Sequence, residues 1–260
     1  MELHEYLIAI IGGALAGGIN TLAGNGSAIT LTILTEILHL PGNLANGTNR
    51  VGIMMQSSAA TWAFYKNGRL NWAESRFYIF LTVIGAIAGV LVATQVSNAQ
   101  FRSVFRFLMV FMLLVVLVKP KRWLRVTDTS NPPSMWVVVP AFLFLGFYGG
   151  FIQMGMGIIF LAVMVLGVRW SLIDSNVIKS FIVASYTIFV IAIFQYKGLI
   201  DWKIGAVLAI GQTAGGWFAA QFASKHRSAD IWAYRLLVVM MFLAVGKLFN
   251  VHEWVMAHIY

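Results

Sequence analysis

Twenty consecutive residues, Phe77–Val96 (FYIFLTVIGAIAGVLVATQV), carry no charge. As a helix they rise about 30 Å, the thickness of a bilayer's hydrocarbon core. Phe107–Val118, Met135–Phe151 and Leu236–Phe249 are further apolar stretches, so the pattern fills the chain and is not one local patch. Only 10% of the 260 residues are charged and 60% are hydrophobic, against roughly 25% charged in soluble domains. The runs do not alternate polar with apolar residues over ~10-residue strands, which excludes a transmembrane β-barrel. The chain is expected to be an all-α polytopic membrane protein.

Two readings of the composition fall away at once. The 18 Lys and Arg against 9 Asp and Glu do not call for a nucleic-acid partner, because basic loops on the cytoplasmic side of a membrane account for them. The Ala14–Ala16 Ala-x-Ala near the N-terminus is not a signal-peptide cleavage site, because Glu2 and Glu5 stand where such a leader needs Lys or Arg. Cysteine is absent, which removes disulfides and thiolate metal sites.

The chain repeats itself. Gly68 and Trp72 of YKNGRLNW match Gly198 and Trp202 of QYKGLIDW, and Gly85–Gly89 matches Gly211–Gly215. Arg106 matches Arg235, and Gly24–Gly26 matches Gly155–Gly157. The four offsets, 130, 126, 129 and 131, hold order and spacing. Residues 1–119 are therefore expected to form a first transmembrane repeat and residues 134–260 a second, joined by a basic, Pro-rich linker at 120–133. Helical segments are expected near 5–23, 27–40, 44–65, 73–96 and 103–119, and near 134–153, 157–168, 171–196, 203–223 and 230–249.

Five segments per repeat, an odd number, place the halves in opposite orientations. With the linker cytoplasmic, eleven cations lie inside and five outside, and Arg50 and Lys179 fall within membrane segments. That bias is the one the positive-inside rule demands. Inverted-topology repeats are a common transporter architecture with a site near the midplane. The GxxxG motifs at Gly85/Gly89 and Gly211/Gly215 are expected to let helices approach closely.

The second segment of each repeat follows a Gly-x-Gly interruption and is short. Fourteen residues, Ser27–Leu40, rise about 21 Å and cannot span. Irregular backbone at membrane depth is tolerated where protein buries it or a cavity wets it. Gly24–Gly26 and Gly155–Gly157 are thus expected to join half-helices at the midplane. A half-helix start presents unpaired N–H groups and a positive dipole end, which suits an anion. The segments that follow carry Asn46, Thr48, Asn49 and Arg50 in one half, and Asn176, Lys179 and Ser180 in the other. A buried cation costs several kcal/mol at mid-bilayer and must face a partner, water or ligand. A structural pairing with Glu36 or Asp174 is one outcome, and an anion site is the other. The candidate substrate-binding set is Gly24, Asn25, Gly26, Ser27, Asn46, Thr48, Asn49, Arg50, Gln153, Gly155, Gly157, Asn176, Lys179 and Ser180.

The ordered set AGNGSAITLTIL, ANGTNRVG and YKNGRLNW resembles the sulfite exporter TauE/SafE family, the toluene sulfonate uptake permease group, over nearly the whole chain. The resemblance implies secondary transport of sulfite, organosulfonates or related small anions. It carries over residue by residue to Gly24, Asn25, Gly26, Ser27, Gly47, Thr48 and Asn49. The second half departs from the pattern, with GMGI and VIKS in the corresponding places.

Weaker features remain. Gln56, Gln153 and Gln212 lie in apolar surroundings, where they bond either an oxyanion or one another. Glu36 and His39 are candidates for carrying a proton, and Glu36 for coupling. Asp174, three residues after Ser171, reads as a helix cap. No Walker A, HExxH or nucleophile-elbow motif is present, so ATP-driven transport and enzymatic function are not expected. The expectation is a secondary transporter in the inner or plasma membrane that takes a small anion by alternating access. It has no cofactor or metal and no nucleic-acid partner, but contacts membrane lipid. A coupling proton or ion and an oligomeric state are compatible with it. An anion channel of the same build and a carboxylate transporter are the alternatives.

Overall fold

The computed structural model describes residues 3–70, 72–95, 114, 117, 123–124, 126–128, 134–226 and 228–248. The fifth segment expected in the first repeat, near 103–119, and most of the 120–133 linker lie outside the described residues. Those residues hold nine α-helices and no strand. They are α1 (Leu3–Ala23), α2 (Gly26–Thr32), α3 (Gly42–Lys66), α4 (Trp72–Ala93), α5 (Met135–Phe151), α6 (Met156–Ala162), α7 (Leu172–Tyr196), α8 (Trp202–Lys225) and α9 (Ala229–Leu248). Helices α2 and α6 each run on into a π-helical turn, Ile33–Ile37 and Val163–Val168. The chain is an all-α polytopic membrane protein.

The internal repetition is visible in the backbone. Helices α3 and α7 are both 25 residues long and start at Gly42 and Leu172; α4 and α8 start at Trp72 and Trp202. Left-handed residues recur in step: His39 (φ 54°) with Arg169 (φ 66°), and Gly68 (φ 67°) with Gly198 (φ 67°).

The repeats run in opposite directions, and contacts at both ends of α3 and α7 establish it. Near the start of α3, a Cβ added to Gly47 would lie 2.0 Å from the Leu199 carbonyl oxygen. Beside it, Thr48 Oγ1 accepts from the Asp201 amide at 2.9 Å. Leu199 and Asp201 follow the end of α7. At the opposite end, Arg69, just past α3, stands 3.8 Å from Asp174 in the first turn of α7. Each helix therefore begins where its equivalent ends.

Close backbone packing joins the two repeats. A Cβ on Gly85 or Gly89 would sit 2.1 Å from Leu143 O and 2.0 Å from Phe147 O, so α4 lies backbone-to-backbone against α5. The same holds for Gly211 and Gly215 of α8 against Ile10 O and Ala14 O of α1, at 2.0 and 1.9 Å. The partner helices bring small residues too: Gly146 and Gly150 in α5, Gly13 and Gly17 in α1. Lipid gives no hydrophobic drive between helices, so close backbone approach supplies the dispersion that holds them together. Since α4 and α8 begin 130 residues apart while their glycines match at 126, the motif is displaced by four residues. Four residues are close to one turn, which keeps the glycines on the same face.

Large apolar side chains point the other way. Phe77, Phe80, Ile84 and Leu91 of α4 and Ile210, Trp217 and Phe218 of α8 are exposed, as lipid-facing positions require. Polar side chains turn inward instead: Asn25, Asn49, Arg50, Gln153, Asn176, Lys179 and Gln212 are all buried.

Inverted repeats predict where exposed loops lie. Lys66 ends α3 and Lys197 follows α7, both exposed. In a chain without cysteine, single Lys66→Cys and Lys197→Cys variants are expected to label from opposite sides of the membrane with an impermeant thiol reagent. Labelling of both from one side would contradict the inversion.

Candidate functional site

The two Gly-x-Gly interruptions touch. A Cβ on Gly24, whose φ is +78°, would lie 2.4 Å from the Gly157 carbonyl carbon, and one on Gly157 would lie 2.4 Å from Gly24 Cα. Gly26 packs against α1, where its Cβ would meet Ala16 O at 1.9 Å and Asn20 Cβ at 2.7 Å. These glycines are small because protein backbone approaches them. Gly155 (φ 75°) turns the chain into α6, as Gly24 and Asn25 turn it into α2. The half-helices thus meet inside the protein, with both interruptions buried.

The buried cations cross between repeats. Arg50 of α3 donates from Nη1 to Gly149 O at 2.6 Å and to Gln153 Oε1 at 2.5 Å. Its Nη2 donates to Gly150 O at 3.2 Å and Asn46 Oδ1 at 3.4 Å. Lys179 of α7 donates to Asn20 O at 2.8 Å and Thr21 O at 3.0 Å, and to Asn176 Oδ1. Asn176 Nδ2 adds a bond to Leu22 O at 2.9 Å. All five backbone acceptors lie in the last turn of α5 or α1, where intrahelical donors run out and the dipole leaves about half a negative charge; Asn20 O also accepts from the Gly24 amide at 3.1 Å. Each cation therefore caps the first helix of the opposite repeat.

A carboxylate partner for these cations, Glu36 or Asp174, is not what the structure shows. Helix ends supply negative potential without burying a second ion, whose desolvation costs several kcal/mol. Glu36 is exposed and accepts from its neighbour Thr35 at 3.1 Å. Asp174 belongs to the cap of α7, where Ser171 Oγ accepts from its amide at 3.1 Å and donates to its carboxylate at 2.9 Å. His39 is exposed on the loop after α2, in the left-handed region.

Several other expected residues have protein partners. Thr48 holds the Asp201 amide, and Ser180 donates to its own helix at Asn176 O, 2.9 Å. Gln153 accepts from Arg50 and, at 3.1 Å, from the Tyr186 hydroxyl. Gln56 joins Asn20 (2.8 Å) to Thr21 Oγ1 (2.9 Å). Gln212 Nε2 donates to Asn49 Oδ1 at 3.3 Å. The glutamines thus tie elements together and do not bond one another.

Among the described residues, six buried side chains have polar atoms without a protein partner: both ends of the Asn25 amide, the Ser27 hydroxyl, Asn49 Nδ2, Arg50 Nε, Trp123 Nε1 and the Thr187 hydroxyl. The first four side chains belong to the candidate set. Asn25 and Ser27 flank Gly26, which packs on Ala16 and Asn20 of α1. Gly17, within that same turn, carries Gln212, the partner of Asn49. One turn of α1 therefore touches both the first interruption and the Gln212–Asn49 pair. A buried polar group left unpaired costs about 1–3 kcal/mol, which sets Asn25 and Ser27, on either side of Gly26, apart from the candidates whose side chains have protein partners. The second-repeat residues corresponding to Asn25 and Ser27, Met156 and Ile158, offer no side-chain donor of this kind, and the asymmetry foreshadowed by GMGI takes this concrete form.

Sequence reading missed Asn20, Thr21 and Tyr186 as members of this network. Asn20–Thr21 in INTLAG was the available signal, a polar pair in an apolar run directly before the break. Their main function is through backbone carbonyls, which no side-chain pattern reveals.

Curated relatives of this chain are named as membrane transporters. A "Probable membrane transporter protein ORF9" from Sinorhizobium sp is 24% identical over 248 residues, covering 95% of this chain and 94% of that protein. A "Probable membrane transporter protein" from Haemophilus influenzae is 25% identical over 259 residues, covering 98% and 99%. No solved structure matches the chain. The family model described as "Sulfite exporter TauE/SafE" matches residues 9–248, and the chain belongs to that family of membrane transporters.

Proposed function

We propose that the protein is a secondary transporter of a small oxyanion, sulfite or an organosulfonate by family, and not an enzyme. Its guest sits at the first helix interruption. The observation that carries this reading is the group of buried, unpartnered polar atoms on Asn25, Ser27 and Asn49. Sulfur oxyanions present several acceptor oxygens in a small volume, and neutral amide and hydroxyl donors satisfy them without a countercharge in contact. Gly24, Gly26, Gly155 and Gly157 shape the meeting point of the half-helices. Arg50 and Lys179, together with Asn46, Thr48, Gln153, Asn176 and Ser180, hold the surrounding helix ends and set a positive potential.

The inverted repeats suit alternating access, because two equivalent packings of crossed helices exchange by rocking. The charge bias supports a cytoplasmic 120–133 linker, and the protein is read as a multi-pass protein of the inner or plasma membrane. A channel of the same build would pass the anion without exchange. Counterflow of labelled sulfite in proteoliposomes separates the two, since exchange acceleration by unlabelled anion inside is a property of carriers.

A further inference from the structure

We infer, on the footing of the oxyanion reading above, that the site selects an oxyanion which keeps one proton, so that the proton crosses on the substrate and not on the protein. The amide of Asn25 is fully buried and unpartnered at both ends. Whichever way that amide is turned, one end donates and the other accepts. A fully deprotonated oxyanion has acceptors only and leaves the Asn25 oxygen orphaned against a negative oxygen. A singly protonated one, such as hydrogen sulfite, answers both ends, with its S–O oxygens taking N–H and its O–H donating to the carbonyl.

The charged groups around the break make the same point. Helices α2 and α6, GSAITLT and MGIIFLA, contain no titratable residue. In α1 the titratable residues are His4, Glu5 and Tyr6 in the first turns, and in α8 they are Lys203 and Lys225 at the two ends. Helix α5 brings Tyr148, α3 brings Arg50, Tyr65 and Lys66, and α7 brings Asp174, Lys179, Tyr186 and Tyr196. The carboxylates among these, Glu5 and Asp174, stand at helix starts, and Glu36 is exposed. None of these three carboxylates stands beside the break to relay a proton, and Asp201, whose amide bonds Thr48, has its carboxylate engaged in capping α8 at the Ile204 amide. All three ammonium hydrogens of Lys179 are committed to Asn20, Thr21 and Asn176. The four terminal hydrogens of Arg50 are likewise taken, leaving its Nε. Neither cation is free to offer the guest a two-pronged, charge-assisted grip.

The test is affinity for sulfite, methanesulfonate and sulfate in purified protein, measured by calorimetry on both sides of the second ionisation of sulfurous acid. Affinity for total sulfite is expected to fall about tenfold per pH unit above that ionisation. Methanesulfonate, singly charged throughout and lacking an O–H, is expected to bind about tenfold more weakly than hydrogen sulfite, independently of pH. Sulfate should compete poorly. Asn25 has no protein partner to orphan, so Asn25→Ala is expected to fold, to bind hydrogen sulfite about tenfold more weakly and to lose the pH dependence. Sulfite binding that ignores pH, or sulfate binding equally well, would overturn the inference while leaving the oxyanion site standing. Parallel loss of methanesulfonate affinity with pH would overturn it too, by locating the titrating group on the protein. Failure of every oxyanion to bind at any pH would remove the oxyanion reading itself, with Asn25 hydrated by water only.

Discussion

Gly24→Ala is expected to destabilise the protein strongly, and more than the same change at its contact partner Gly157. Gly24 adopts φ +78°, which costs an L-residue about 1–2 kcal/mol. Its new Cβ would stand 2.4 Å from the carbonyl carbon of Gly157. Backbone cannot rotate aside as a side chain does, so the half-helices must separate, and overpacking of this kind costs about 1–3 kcal/mol. Together the expected loss is about 2–5 kcal/mol. Gly157→Ala meets the same contact without the left-handed penalty and should lose less. Gly167→Ala, where an added Cβ meets nothing within 4 Å, should change stability by under about 0.5 kcal/mol. Thermal unfolding of detergent-purified variants gives the order directly. Equal stability of Gly24→Ala and Gly167→Ala would mean the interruptions do not meet.

The second large effect belongs to the cations. Lys179→Gln removes the donor shared by Asn20 O, Thr21 O and Asn176 Oδ1, and each orphaned acceptor costs about 1–3 kcal/mol. Arg50→Gln similarly abandons Gly149, Gly150, Gln153 and Asn46. Both variants are expected to lose stability first. In whatever folded fraction remains, anion affinity should fall about tenfold, because a unit charge about 10 Å away contributes on the order of 1–2 kcal/mol at an effective dielectric near 20. Arg50→Lys keeps the charge and should retain affinity better than Arg50→Gln, yet still unfold earlier because three hydrogens cannot serve four acceptors. Affinity unchanged in both glutamine variants would assign the cations to architecture alone.

These two cases show what the sequence could and could not convey. That the chain breaks at Gly24–Gly26 and Gly155–Gly157 was legible, since only glycine pairs would interrupt apolar runs at matching places in a repeat. Why the glycines are there was not. Their contact is with each other, across 133 residues of sequence from Gly24 to Gly157, and pattern reading has no access to such a distance. Arg50 and Lys179 stood out because charge within an apolar segment is costly. Their partners are backbone carbonyls of the opposite repeat, and a carbonyl has no letter in a sequence. The GxxxG motifs of α4 and α8 were read correctly as packing surfaces, but the glycines they meet in α5 and α1 were passed over. Asn25, Ser27 and Asn49 stand among fourteen candidates in the sequence; only the bonding in three dimensions sets them, with the Nε of Arg50, apart as open.

Carrier function requires exchange at a buried site. Purified protein in liposomes preloaded with unlabelled sulfite should take up labelled sulfite transiently above equilibrium, and uptake should saturate with concentration. Flux that rises linearly with concentration and shows no acceleration by internal sulfite would contradict the carrier model in favour of a channel.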